Sequence, residues 1–234
     1  MTTDALAVWC AVRTEVDWAT AGAGPQAPVT PAVDGLTAWF DGPVRSRSPR
    51  RAERLLRATA LARRDAAGRR PLTPALLTGW QRLVLGRSDV GFRTTDAFAK
   101  GGRERYGLTP ATWRHFAHCL DQSADPALPL AARAARAYLD VAFFHPFPDG
   151  NARSALLALA YVLDLDGVRL DQVSPLPVAR YADDPAGAAD LAALVTVLIR
   201  ASHRRSHHPG GTRSPAAAGL PTSGAPGQPW AGSR

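Results

Sequence analysis

Apolar positions recur every three to four residues along most of this chain, the spacing of amphipathic helices. In residues 4–21, Leu6, Trp9, Cys10, Val12 and Val16 share one face, with Arg13, Glu15 and Asp17 opposite. A Gly-, Pro- and Ala-rich stretch, 22–31, reads as a linker, and Trp39-Phe40 before Asp41-Gly42-Pro43 reads as a turn into a second arm. Pro49 opens an Arg-rich helix that Gly68 stops, with Leu55, Leu56, Ala60 and Leu61 inward. Thr73-Pro74 has the form of an N-cap with proline at the first helical position, predicting a helix to Leu85. Residues 109–122 carry Trp113, Phe116, Cys119 and Leu120 on one helical face, and the next helix begins at Pro129 and ends at Phe144. Residues 154–165 are almost wholly apolar, which predicts a buried helix starting at Asn151 and closing at Asp166-Gly167. After a connection, 168–177, a last helix covers 188–201. One region breaks the pattern: 91–98 alternates loosely and meets Lys100-Gly101-Gly102-Arg103, which suggests a β-hairpin. The expected fold is all-α, about six to eight helices with one hairpin. It divides into an N-terminal helix and arm (1–49), a main domain (50–202) and a disordered Gly/Pro/Ser-rich tail (203–234).

At 234 residues the chain is long enough to bury a sizeable core, and 46% hydrophobic with 21% charged residues fits a soluble globular class. A net charge of +8 would ordinarily raise nucleic acid as a partner. Yet Lys100 is the only lysine, the arginines are spread over several helices, and no convincing helix-turn-helix signature appears, which argues against it. Cys10 and Cys119 make no disulfide framework. Asp4 lies where a signal peptide would carry its basic region, and no uncharged apolar stretch reaches membrane-spanning length. A cytoplasmic protein with no membrane partner is expected. His115 and His118 lack a second ligand pair, and His203, His207 and His208 fall in the polar tail, so neither group predicts a metal site.

Candidate chemistry concentrates in His145-Pro146-Phe147-Pro148-Asp149-Gly150-Asn151-Ala152-Arg153. Two prolines stiffen this loop, Gly150 permits a backbone conformation closed to side chains, and Asn151 stands at a favoured N-cap position. An imidazole near neutral pKa can take the proton of a hydroxyl nucleophile, so His145 is the candidate general base. Asp149 offers hard oxygen to Mg²⁺, with nucleotide phosphates supplying other ligands. The amides of Gly150, Asn151, Ala152 and Arg153 at a helix start, with the Asn151 carboxamide and the Arg153 guanidinium, suit a phosphate group. Phe147 points back into the core and holds the loop.

The string resembles the motif of the Fic (Fido) family, His-x-Phe-x-Asp/Glu-Gly-Asn-Gly/Lys-Arg-x-x-Arg, at His145, Phe147, Asp149, Gly150, Asn151 and Arg153. The resemblance extends over about residues 50–202, with specific support only in 145–153. It implies a helical bundle with a hairpin flap, here about residues 91–107, along whose edge a target protein docks as an added strand. It further implies transfer of AMP from ATP, with Mg²⁺, to a protein hydroxyl. His145 would be the base, Asp149 the metal ligand, and Asn151 and Arg153 phosphate contacts.

Two departures bear on that implication. Ala152 replaces the usual Gly or Lys and suits a first helical turn. Leu156 stands where the family has its second Arg, removing a phosphate contact of about 1.5–3 kcal/mol. That leucine resembles the pattern of the phage Doc toxin, which phosphorylates elongation factor Tu, so a Doc-like kinase is the alternative; a non-catalytic binding module is another. The inhibitory pattern Ser/Thr-x-x-x-Glu is missing, because Ala11, Pro49 and Lys100 precede Glu15, Glu53 and Glu104 by four residues. Control by an antitoxin in trans stays open.

Overall fold

The computed structural model describes residues 3–24 and 27–207. Helix α1 (Ala5–Glu15) is capped by Asp4, whose Oδ1 accepts the Leu6 amide at 3.0 Å. It stops well before residue 21 because the chain becomes extended at Val16. There the Trp18 indole donates to the Arg13 carbonyl at 2.9 Å, and Asp17 accepts the amides of Ala19 and Thr20. The expected turn at 39–43 is helical instead. Asp34 caps α2 (Gly35–Trp39) through the Thr37 amide at 3.0 Å, and a π-helical turn, Phe40–Val44, leads into one further turn, α3 (Arg45–Arg47). The wider π turn accommodates Pro43, which lacks an N–H, while Phe40 is sunk into the core.

Helices α4 (Pro49–Ala67) and α5 (Pro74–Leu85) occupy the predicted spans, with Thr73 Oγ1 accepting the Leu76 amide and Gly86 closing α5 in the left-handed region. The hairpin is shorter than the alternation suggested: β1 (Ala97–Ala99) pairs antiparallel with β2 (Glu104–Tyr106), Phe98 opposite Arg105. Asp4 bridges Arg105 on the far side of β2 and accepts the Gly107 amide at 2.9 Å, so β1 carries the open edge. Helix α6 (Thr112–Asp121) starts later than residue 109, because residues 109–111 turn with the Thr109 amide bonded to Thr112 Oγ1 at 2.9 Å.

Helix α7 (Leu130–Phe144) is the centre of the bundle. Its small residues Ala131, Ala132, Ala134, Ala135 and Ala137 are all buried and let α8 (Asn151–Leu165) and α9 (Pro185–His207) approach closely. Trp9 of α1 packs on Phe143, and Arg13 grips the buried Asp140 at 2.7 and 2.9 Å, which seats the N-terminal helix on the same core. Helix α9 is long and apolar enough to cross a membrane by length and composition, but half of that stretch is buried in the bundle, the packing of a core helix. It runs to His207, so the first five residues of the expected disordered tail are helical; residues 208–234 of that expectation lie outside the described residues.

Candidate active site

Helix α7 ends because His145 adopts the left-handed conformation, φ 48° and ψ 52°, a strained setting for a residue with a side chain. The loop that follows is fixed at three points. Phe147 is buried in the core, and Asn151 clasps its backbone: the Phe147 amide donates to Asn151 Oδ1 at 2.9 Å, and Asn151 Nδ2 donates to the Phe147 carbonyl at 2.8 Å. Gln81 of α5, fully buried, donates to the Asp149 carbonyl and accepts from Ser154 Oγ, both at 2.5 Å. Arg93 lies buried where the chain approaches β1. Its amide donates to the Pro146 carbonyl at 2.9 Å, and its guanidinium donates to the carbonyls of Gly107 and Thr95 at 2.8 and 2.7 Å. Gly150 is required here: its φ is +78°, and a Cβ would stand 2.5 Å from Gln81 Nε2.

The His145 ring is held in one tautomer. Nδ1 lies 2.8 Å from the Ala142 carbonyl, which can only accept, so Nδ1 carries the proton and Nε2 presents a lone pair. Burial pushes the imidazole below its ordinary pKa; the bond to Ala142 opposes that, Arg93 adds to it, and Glu104 opposes it again. The ring is therefore neutral at physiological pH. Tyr106 of β2 stacks on it, centroids 4.3 Å apart and planes 14° from parallel.

Helix α8 starts at Asn151, with Gly150 in the cap position; the amides of Arg153 and Ser154 both bond to the Gly150 carbonyl at 3.0 Å. The amides of Asn151 and Ala152 precede those bonds and have no intrahelical acceptor. The Asn151 side chain is buried and bonded at both ends to the Phe147 backbone, which makes it a clasp of the loop. Asp149 is 63% exposed and accepts from the Gly150 amide at 2.5 Å and from Arg153 at 3.0 Å. Its carboxylate thus occupies the Gly150 amide and the Arg153 guanidinium, two of the groups an incoming phosphate would meet. Among the described residues no group of three or more His, Cys, Asp or Glu gathers. A cation at Asp149 would take one protein carboxylate and draw its other oxygens from phosphate and water, the usual habit of Mg²⁺. Leu156, one turn into α8, is buried beside Leu36, Arg63 and Leu159.

Gln81, Arg93, Ser154 and Tyr106 were not among the residues expected at the site. Gln81 alone had a local signal, an amide on the otherwise apolar face of Leu77, Trp80 and Val84.

Residues 71–163 match the Fic/DOC family, a span from just before α5 to within α8. Three solved structures share the architecture. A Fic-domain signalling protein from Bacteroides thetaiotaomicron VPI-5482 is 16% identical with a TM-score of 0.50, over 73% of this chain and 75% of that one. A His-to-Ala variant of IbpA Fic2, in complex with adenylylated Cdc42, is 12% identical with a TM-score of 0.52, over 86% and 70%. Fic-1 (residues 134–508) from C. elegans is 18% identical with a TM-score of 0.50, over 90% and 73%. At such identities the likeness speaks to the fold: a helical bundle carrying a hairpin flap. No curated protein matches the sequence.

Proposed function

With residues 71–163 belonging to the Fic/DOC family, we propose that this chain is a Fic-type transferase that moves AMP from ATP to a hydroxyl of a target protein. The observation that carries the reading is the disposition of His145, a neutral imidazole with Nδ1 bound to Ala142 and Nε2 bare, six residues before the start of α8 at Asn151, where the first amides are free. In the step proposed, Nε2 accepts the proton of the target hydroxyl as its oxygen bonds to the α-phosphorus of ATP. The bond from that phosphorus to the β-phosphate oxygen breaks, and pyrophosphate leaves. The amides of Asn151 and Ala152 oppose the phosphate charge, joined by Arg153 once Asp149 releases it. Mg²⁺, held through Asp149, would supply further charge neutralisation at the phosphates. The open β1 edge, with Phe98 60% exposed, supports docking of the target as an added strand.

A second reading rests on Leu156. A buried aliphatic residue at the second-Arg position removes one constraint on the nucleotide's orientation, which favours transfer of the terminal phosphate as in Doc. Incubation with Mg-ATP and a cell lysate, followed by weighing of modified peptides, separates the two. An AMP increment supports adenylylation and a phosphate increment supports the kinase. Absence of any increment that depends on His145 removes both.

A further inference from the structure

We propose that Tyr106 is a positioning residue for His145, and that Glu104 and Lys100 make the orientation of the base depend on the seating of the flap. This rests on the transfer reading of the same site. The bond from Nδ1 to Ala142 fixes one atom of the imidazole but leaves the ring free to tilt about that bond. The stack with Tyr106 covers one face of the ring and removes the tilt, so the two contacts together define where Nε2 points.

Tyr106 is itself held by an unbroken polar chain. Its hydroxyl donates to Glu104 Oε2 at 2.5 Å, and Glu104 Oε1 meets Lys100 Nζ at 2.7 Å. Lys100 Nζ also donates to the Arg180 carbonyl at 2.7 Å and lies 3.8 Å from the centre of the Tyr181 ring. The series runs from the connection before α9, through the hairpin turn and β2, to the base. Burial and the Glu104 carboxylate push the phenol pKa up, so Tyr106 stays a donor across the working range. The charged groups that act on His145 are Arg93, from the segment before β1, and Glu104, from β2; the remaining constraint is the Ala142 carbonyl of α7. Phenylalanine would fill the space of Tyr106 equally well, and the hydroxyl's one evident use is to join the stack to the hairpin's ion pair. A partner strand that docks on β1 therefore touches the same hairpin that aligns the base.

The test follows the imidazole directly by ¹⁵N NMR of His145 in the full-length protein, beside the transfer rate and its pH profile. Tyr106→Phe keeps the stack but cuts the bond to Glu104, and is expected to hold the wild-type tautomer with a smaller fall in kcat, about threefold. Tyr106→Leu is expected to leave Nδ1 protonated but to shift and broaden the Nε2 signal as the ring tilts, with a fall in kcat of about tenfold and an acidic limb moved upward. Wild-type ring signals and rate in a Tyr106→Leu chain with an unchanged melting temperature would overturn the proposal. If that chain does not fold, Glu104→Gln decides: a smaller change of the same kind supports the coupling, and none overturns it. Failure of the transfer reading looks different, with no modification by the wild type while the His145 signals still respond to Tyr106.

Discussion

The motif loop and the flap reach the same histidine from opposite sides and are built from different interactions. The loop is anchored by buried, uncharged groups: Asn151 on the Phe147 backbone, Gln81 on Asp149 and Ser154. The flap is held by ion pairs at or near the surface, Lys100 with Glu104 and Arg105 with Asp96. Buried hydrogen bonds cost their full desolvation penalty when one partner is lost, whereas exposed ion pairs contribute little and are screened by salt. In the proposed function, chemistry would fall on the part that cannot yield and recognition on the part that can.

The largest break in this contrast comes from the loop. Asn151→Ala strands both the amide and the carbonyl of Phe147 in the core, and a loss of about 2–4 kcal/mol in denaturant unfolding is expected. Gly150→Ala is next, about 1–3 kcal/mol, because φ is +78° and the new methyl meets Gln81. The pH dependence gives a smaller effect of fixed sign. Since the folded pKa of His145 lies below its unfolded value, the unfolded chain binds more protons as pH falls, and stability declines below the ordinary imidazole pKa of about 6.5. For the same reason the half-point of the acidic limb of the transfer rate should fall below about 6.5. The smallest effect belongs to the flap. Lys100→Ala should cost no more than about 1 kcal/mol globally while amide exchange rises in residues 97–106 and stays unchanged in 145–154. Equal loosening of both segments would erase the distinction.

Where local signals govern, the structure could be read from the sequence. Pro49 and Gly68, Thr73-Pro74 and Gly86, Pro129 and the turn at Asp166 bound α4, α5, α7 and α8 where capping chemistry places them. Asp41-Gly42-Pro43 misled, because a turn-like string is carried inside a π turn once Asp34 caps the helix and Phe40 is buried. At the site, His145 and Asp149 were legible as a compact motif. Arg93 and Tyr106 were not, and Gln81 showed only as an amide on an apolar helix face, since their meaning lies in partners 51, 39 and 68 positions away. Asn151 was visible in the motif, but its two-point clasp on the backbone four residues back was not.

The central claim is that His145 Nε2 removes the proton of a target hydroxyl while the nucleotide phosphates rest at the start of α8. ATP radiolabelled on its α-phosphate, incubated with Mg²⁺, a lysate and either wild-type protein or His145→Ala, tests it most directly. The account predicts protein-bound label with the wild type and at least about a hundredfold less with a variant of unchanged melting temperature. Equal labelling by the two chains would contradict it.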